Sequence, residues 1–235
     1  MVSESTEIFK ITEKAKSLEE NGDYIQAIEL LSDANNKLPR KMPILYLLSL
    51  FHLKSNRYYD AMKYANQFLE LARISDDTGN IAKAYYIIAE TERNLEHYDE
   101  AIKYYKLGQK NDFISYLFPL GFAKCYIKLQ KYEDALTNYK KAMSSVGDEA
   151  IEAELRYTIR DLEERIPKLN EIAKHKEKAQ YNLNRCKYEA GKAEYQKLFE
   201  LIPDNYEIKN DYDILPTGIS SDVCTVDKFK FAAYK

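Results

Sequence analysis

The chain has 235 residues, a formal charge of −3 from 35 basic and 38 acidic side chains, and an apolar fraction of 45%. Its 7 glycines and 6 prolines are about half the usual share, which argues against turn-dense sandwiches and barrels, because tight turns draw on those residues. Near-balanced charge gives no bulk attraction to nucleic acid, and mean hydropathy of −0.56 with no run of ~18–20 apolar residues argues against a membrane span.

The greasiest run, Pro43 to Leu53, is interrupted by Ser49 and His52. The first residues, Met1-Val2-Ser3-Glu4, lack the basic-then-apolar pattern of a secretory leader, and the last, Ala232-Ala233-Tyr234-Lys235, match no lipidation or retention signal. Cys125, Cys186 and Cys224 stand far apart and are an odd number, so reduced thiols and a cytoplasmic location are expected.

Four segments repeat one pattern, each flanked by helical apolar spacing: Asn21-Gly22-Asp23-Tyr24-Ile25-Gln26-Ala27, Asn56-Arg57-Tyr58-Tyr59-Asp60-Ala61, Glu96-His97-Tyr98-Asp99-Glu100-Ala101 and Gln130-Lys131-Tyr132-Glu133-Asp134-Ala135. Each has a tyrosine three residues before an alanine, and the alanines are spaced by 34, 40 and 34 residues. The longer spacing contains Asp76-Asp77-Thr78-Gly79-Asn80-Ile81, which reads by composition as a turn. Small residues at a fixed period mark where two helices of a hairpin cross. A hairpin cannot hide its apolar face alone, so neighbours must stack.

The pattern resembles the tetratricopeptide repeat, a helix-turn-helix unit of about 34 residues. With each alanine at position 20, the units are 8–41, 42–75, 82–115 and 116–149, a four-repeat domain over 1–149. The small residue at position 8 is then Ala15, Ser49, Ala89 and Ala123, and position 17 is Tyr24, Tyr58, Tyr98 and Tyr132. Position 27 is Ala34, Phe68, Gly108 and Ala142, with Phe68 the departure, and the family's glycine at position 15 occurs once, as Gly22. The resemblance implies an all-α, right-handed α-solenoid with a concave groove.

A helical extension is expected over 150–205. Asp148 suits an N-cap for a helix to about Arg165, with Glu152–Arg156 and Asp161–Arg165 one turn apart, and Pro167 suits the first turn of the next helix. Residues 172–205 accommodate either a degenerate fifth repeat, with Ala179, Tyr188, Gly191 and Pro203 in register, or a plain capping pair. Residues 206–235 read as a partly extended, apolar-rich tail that covers the groove or docks on another subunit.

Catalytic and cofactor patterns are missing from this reading. His52, His97 and His175 lack metal-ligand spacing, no glycine-rich phosphate loop or nucleophile elbow occurs, and acidic pairs such as Glu163-Glu164 are adjacent and so do not share a helix face. The protein is expected not to be an enzyme and to need no cofactor or metal.

In the resembling family, side chains at positions 2, 5, 6, 9, 12 and 13 of each first helix look into the groove. Carried over, these are Thr12, Glu13, Lys16, Glu19 and Glu20; then Tyr46, Leu47, Leu50, Leu53 and Lys54; then Lys83, Tyr86, Ile87, Glu90, Arg93 and Asn94; then Leu117, Leu120, Gly121, Lys124, Ile127 and Lys128. The clamp some relatives use for the C-terminal carboxylate of heat-shock chaperones falls on Thr12, Lys16, Leu47, Lys83 and Ile87, where only Lys83 matches, so a chaperone tail is not the expected partner. The expected function is an adaptor whose groove holds a peptide or helix of a partner protein, through apolar anchors with cations for an acidic flank. The alternative is a structural subunit of a large assembly with its tail docked on a neighbour.

Overall fold

The computed structural model describes residues 3–111, 115–185 and 187–203. The expected tail, 206–235, lies outside them. The chain divides into two units, Met1–Arg160 and Asp161–Lys235.

The first unit is a run of helical hairpins: α1 (Glu4–Glu20) with α2 (Tyr24–Lys37), α3 (Met42–Lys54) with α4 (Tyr58–Ile74), α5 (Thr78–Asn94) with α6 (Tyr98–Gln109), and α7 (Leu117–Lys128) with α8 (Tyr132–Met143). Helix α9 (Glu149–Leu183) follows, then α10 (Tyr188–Leu201). The fold is an all-α solenoid.

One turn chemistry joins every hairpin. The residue two before each repeat tyrosine is left-handed: Gly22 at φ 82°, Asn56 at 58°, Glu96 at 65° and Gln130 at 58°. The next N–H reaches back to close the first helix: Asp23 to Leu18, Arg57 to His52, His97 to Glu92 and Lys131 to Tyr126, each donated to the backbone carbonyl at 2.8–2.9 Å. The tyrosine then begins the second helix, half-buried in all four hairpins. Lys187 makes the same bond to the Asn182 carbonyl at 2.9 Å before α10 begins at Tyr188.

Behind each turn the helices cross on small side chains. Ala15, Ser49, Ala89 and Ala123 on the first helices, and Ala27, Ala61, Ala101 and Ala135 on the second, are all fully buried. Phe68, large where the repeat position is otherwise small, is fully buried in a core cluster that also holds Ala65 and Ala84. Gly108, at the same repeat position, does the converse: a Cβ there would lie 2.4 Å from the Phe118 ring, which fills the space. Volume is conserved across the interface while its donor changes.

Two expectations are corrected. Residues 78–81 are not a turn but the first turn of α5, because the Asp77 carboxylate accepts the Asn80 N–H at 2.9 Å and caps the helix; Asp-Thr-Gly-Asn composition suits either outcome. Nor does Pro167 open a new helix: it sits inside α9, which runs unbroken through it. A proline in a helix interior forfeits one backbone bond, and here the turns on both sides continue regardless. The expected start of α9 does hold, since the Asp148 carboxylate accepts from Ala150 and Ile151 at 2.9 and 3.1 Å.

In the second unit, Ala179 and Gly191 are buried where α9 and α10 pack together, and a Cβ on Gly191 would lie 2.7 Å from Leu183. His175 pairs through Nδ1 with Glu194 at 2.5 Å, and Lys197 donates to the same carboxylate at 3.0 Å. These donors, His175 first, hold the Glu194 carboxyl below the usual carboxylate range.

Candidate functional site

Contacts between hairpins place the first helices side by side: α1 touches α3, α3 touches α5 and α5 touches α7, while each second helix lies against the next first helix. The row α1–α3–α5–α7 is therefore the inner wall of the first unit, and its outward side chains are the candidate site.

On α3, Tyr46 and Leu50 are half-buried and Lys54 is exposed, paired with Glu19 of α1. The Tyr46 ring rests on Phe68, centroids 5.5 Å apart, and Lys83 of α5 sits over it with Nζ 5.8 Å from the centroid. On α5, Tyr86 is held between Tyr105 and Phe118 at 6.2 and 5.9 Å. On α7, Leu117 and Leu120 are half-buried, and Lys124 and Lys128 are exposed with no ion pair among the described residues.

Leu47 and Ile87 do not belong to this surface. They are 4% and 1% exposed and lie in the cores between hairpins, because the position that carries them turns toward the neighbouring helix. Gly121 is buried too, and a Cβ there would lie 2.4 Å from the Tyr105 ring.

Glu90 and Arg93 are not free charges. Arg93 donates to one Glu90 oxygen at 2.6 Å, and the Tyr105 hydroxyl donates to the other. Burial pulls the Arg93 guanidinium down, but the bond and charge of Glu90 outweigh it and hold the group above its ordinary value. Burial, with Glu90, raises both the Tyr105 and the Tyr86 phenols well above the usual range, so both stay protonated donors. The sequence could not show that Glu90 and Arg93 neutralise each other, because Tyr105 arrives from the second helix.

Two exposed wall residues were missed, Phe9 on α1 and Pro43 on α3. Phe9 on α1 occupies the repeat position of Lys83 and Leu117 and is 63% exposed. Its register was the available signal. Cys125 lies behind the wall, fully buried, with burial pushing its thiol up to about 12, which leaves negligible thiolate at neutral pH. Among the described residues no His, Cys, Asp and Glu group is arranged to hold a metal ion, and no helix is long and apolar enough to cross a membrane.

Residues 82–113, the hairpin of α5 and α6, match the tetratricopeptide repeat family. One hairpin of the array is thus similar in sequence to a tetratricopeptide repeat. A thermophilic tetratricopeptide repeat protein of Thermus thermophilus has a similar fold, with a TM-score of 0.53 at 17% identity over 88% of this chain and 97% of that one. A tetratricopeptide repeat protein from Parabacteroides merdae gives a TM-score of 0.54 at 14% identity, covering 88% of this chain and 83% of that one. At these identities the likeness is one of fold. No curated protein sequence matches the chain. Tetratricopeptide repeats are in general non-catalytic scaffolds for protein partners, and the fold here is theirs.

Proposed function

We propose that this repeat array is a non-catalytic adaptor, acting in the cytoplasm, whose inner wall holds a peptide or helix of a partner protein. The observation that carries the reading is the composition of that wall: half-exposed Tyr46, Leu50, Tyr86 and Leu120 form an apolar strip across three helices, with exposed Lys124 and Lys128 beyond it. Apolar side chains left half-open in a row give a ligand anchors to bury, and the lysines attract an acidic flank. Each central anchor supplies about 2 kcal/mol of binding. Exchange of both Tyr46 and Tyr86 for alanine in the full chain tests this. Partner capture from the source cell, quantified by mass spectrometry against the unmodified chain, should fall; capture unchanged in a folded variant rejects the wall as the site.

A second reading has its own observation. Ile25 and Tyr59 occupy the same position on α2 and α4, on the side away from the inner wall, and are 63% and 85% exposed. Large apolar groups in equivalent places on successive repeats suit a subunit whose outer face is also covered in an assembly. Light scattering separates the two: a monodisperse monomer favours the adaptor, and self-association relieved by Ile25→Lys with Tyr59→Lys favours the subunit.

A further inference from the structure

A cavity of about 320 Å³ opens between the first two repeats, and none of the wall residues lines it. Helices α2 and α4 each lie against α3 and, among the described residues, not against each other, which leaves the gap. Leu45 of α3 and Leu71 of α4 give it an apolar lining, with Asn35 of α2 at one side. Arg40 and Glu70 stand at its rim as an exposed pair 3.1 Å apart. Asn35 is half-buried, yet its side-chain oxygen is fully buried and accepts no hydrogen bond among the described residues. A buried acceptor is costly to leave unpaired and calls for a donor.

The junction of the second and third repeats is built differently at the same register. Leu69 stands at the position of Asn35, and Tyr85 at that of Leu45. Tyr85 is buried in one core cluster with Leu69. Arg73 of α4 lies over its ring, with the guanidinium carbon 5.7 Å from the centroid, and donates to its hydroxyl. That junction carries its own phenol beside an arginine. The first junction has a leucine in place of the tyrosine, and Arg40 is one register position beyond that of Arg73. Its amide oxygen is unpaired where the other junction has an apolar side chain.

We propose that this cavity is a binding site for a para-substituted phenol, whose ring packs on Leu45 and Leu71 and whose hydroxyl donates to Asn35 Oδ1. A free small phenol and a tyrosine side chain of a partner protein supply the same chemistry. The site is separate from the inner wall and stands without the adaptor reading. A carboxylate would bring only acceptors to an acceptor and meet Glu70 at the rim. An ammonium would meet Arg40, and the one carboxylate near it is already paired. A plain hydrocarbon ring fills the volume but leaves Asn35 unsatisfied. A phenol buries its ring against the leucines, supplies the missing donor and offers a ring face to the Arg40 guanidinium. The space is sufficient, since pockets from about 300 Å³ upward hold small ligands.

Calorimetric titration of the full chain compares p-cresol with toluene, which has the same ring and methyl group but no hydroxyl. p-Cresol should bind about tenfold or more tightly. Asn35→Leu, which installs the residue of the next junction, should bring the two ligands to equal affinity without lowering the melting temperature. Leu45→Tyr copies that junction too, and should fill the cavity and abolish binding of both. Should that variant not fold, nuclear Overhauser contacts from the p-cresol ring to the Leu45 and Leu71 methyl groups of the parent chain locate the ligand instead. Binding of neither ligand, equal binding to the parent, a preference that survives Asn35→Leu, or ring contacts to methyl groups elsewhere overturns the site. The wall variant Tyr46→Ala/Tyr86→Ala should bind p-cresol like the parent, and loss of binding there places the ligand on the wall and overturns the cavity. N-acetyltyrosinamide then separates the two sources. Affinity equal to that of p-cresol assigns the cavity to a partner's tyrosine, and binding of p-cresol alone assigns it to a free phenol.

Discussion

Tyr105 reaches from α6 to the inner wall and donates its hydroxyl hydrogen bond to Glu90, four residues beyond Tyr86 on α5. Its ring fills the space that Gly121 leaves open on α7, where a Cβ would lie 2.4 Å away. One side chain thus joins three helices and fixes the electrostatics of the wall. Tyr105→Phe keeps the ring and removes the donor, so a largely buried carboxylate loses one partner, and urea unfolding should show a loss of about 1–3 kcal/mol. Gly121→Ala should cost a similar ~1–3 kcal/mol by overpacking, and much less in a Tyr105→Leu background. Additive losses in that cycle contradict the contact.

The left-handed residues of the hairpin turns make a second prediction. Three of the four are not glycine: Asn56, Glu96 and Gln130. A branchless backbone carries this conformation freely, whereas a Cβ at positive φ costs about 1–2 kcal/mol, less for asparagine. Glu96→Gly and Gln130→Gly should each raise the melting temperature, by up to about 1 kcal/mol of stability after glycine's extra unfolded-state entropy is subtracted. Asn56→Gly should gain less, and Gly22→Ala should lose stability. A uniform loss across the set rules out strain at these turns.

His52 sets a pH dependence. Its ring is buried, stacked on Tyr64 with centroids 5.4 Å apart, and Nδ1 has no hydrogen-bond partner, with the nearest Asp60 oxygen at 3.9 Å. Burial lowers its pKa, Asp60 opposes that, and Arg57 and Lys63 add to it. A group with a depressed folded pKa gives stability that is whole above its unfolded value, about 6.5 for histidine, and is lost as pH falls through the folded value. Melting temperature should therefore drop as pH falls below about 6.5. His52→Phe, which keeps the stack, should flatten that part of the profile; an unchanged slope assigns it elsewhere.

Much of this architecture was legible because a stack of hairpins repeats its constraints. Small residues at the crossings and a tyrosine opening each second helix recur at a fixed period, so four weak signals combine into one strong one. Asp77 was misread because the same residues favour a turn and an N-cap, and only the chain beyond decides between them. Leu47 and Ile87 were misplaced because a residue on the flank of a helical stripe can face either the open wall or the neighbouring helix. Glu90 and Arg93 were expected only as groove residues, and their pairing was hidden for another reason. Their third partner, Tyr105, is separated from Glu90 by 15 positions and a turn, and no local pattern signals it. His175 finds Glu194 in the same way.

The crossing residues give the most direct test of the packing. Ala61 and Ala101 are fully buried between paired helices, so leucine at either place should force the hairpin apart at a cost of about 1–3 kcal/mol. Phe68, seven residues beyond Ala61 on the same helix, predicts the opposite sensitivity. Its ring is fully buried in the core cluster that also holds Ala65 and Ala84, and its centroid lies 5.5 Å from that of Tyr46. Phe68→Ala, which restores the small residue seen in the first and fourth repeats, should therefore destabilise by about 3–5 kcal/mol through the cavity it opens. It should also weaken binding at the wall, because Tyr46 loses its backing. Phe68→Leu should recover most of the stability and less of the binding, since a smaller side chain fills volume without presenting a ring face. If Phe68→Ala instead stabilises the chain, small residues are favoured at that position irrespective of their neighbours.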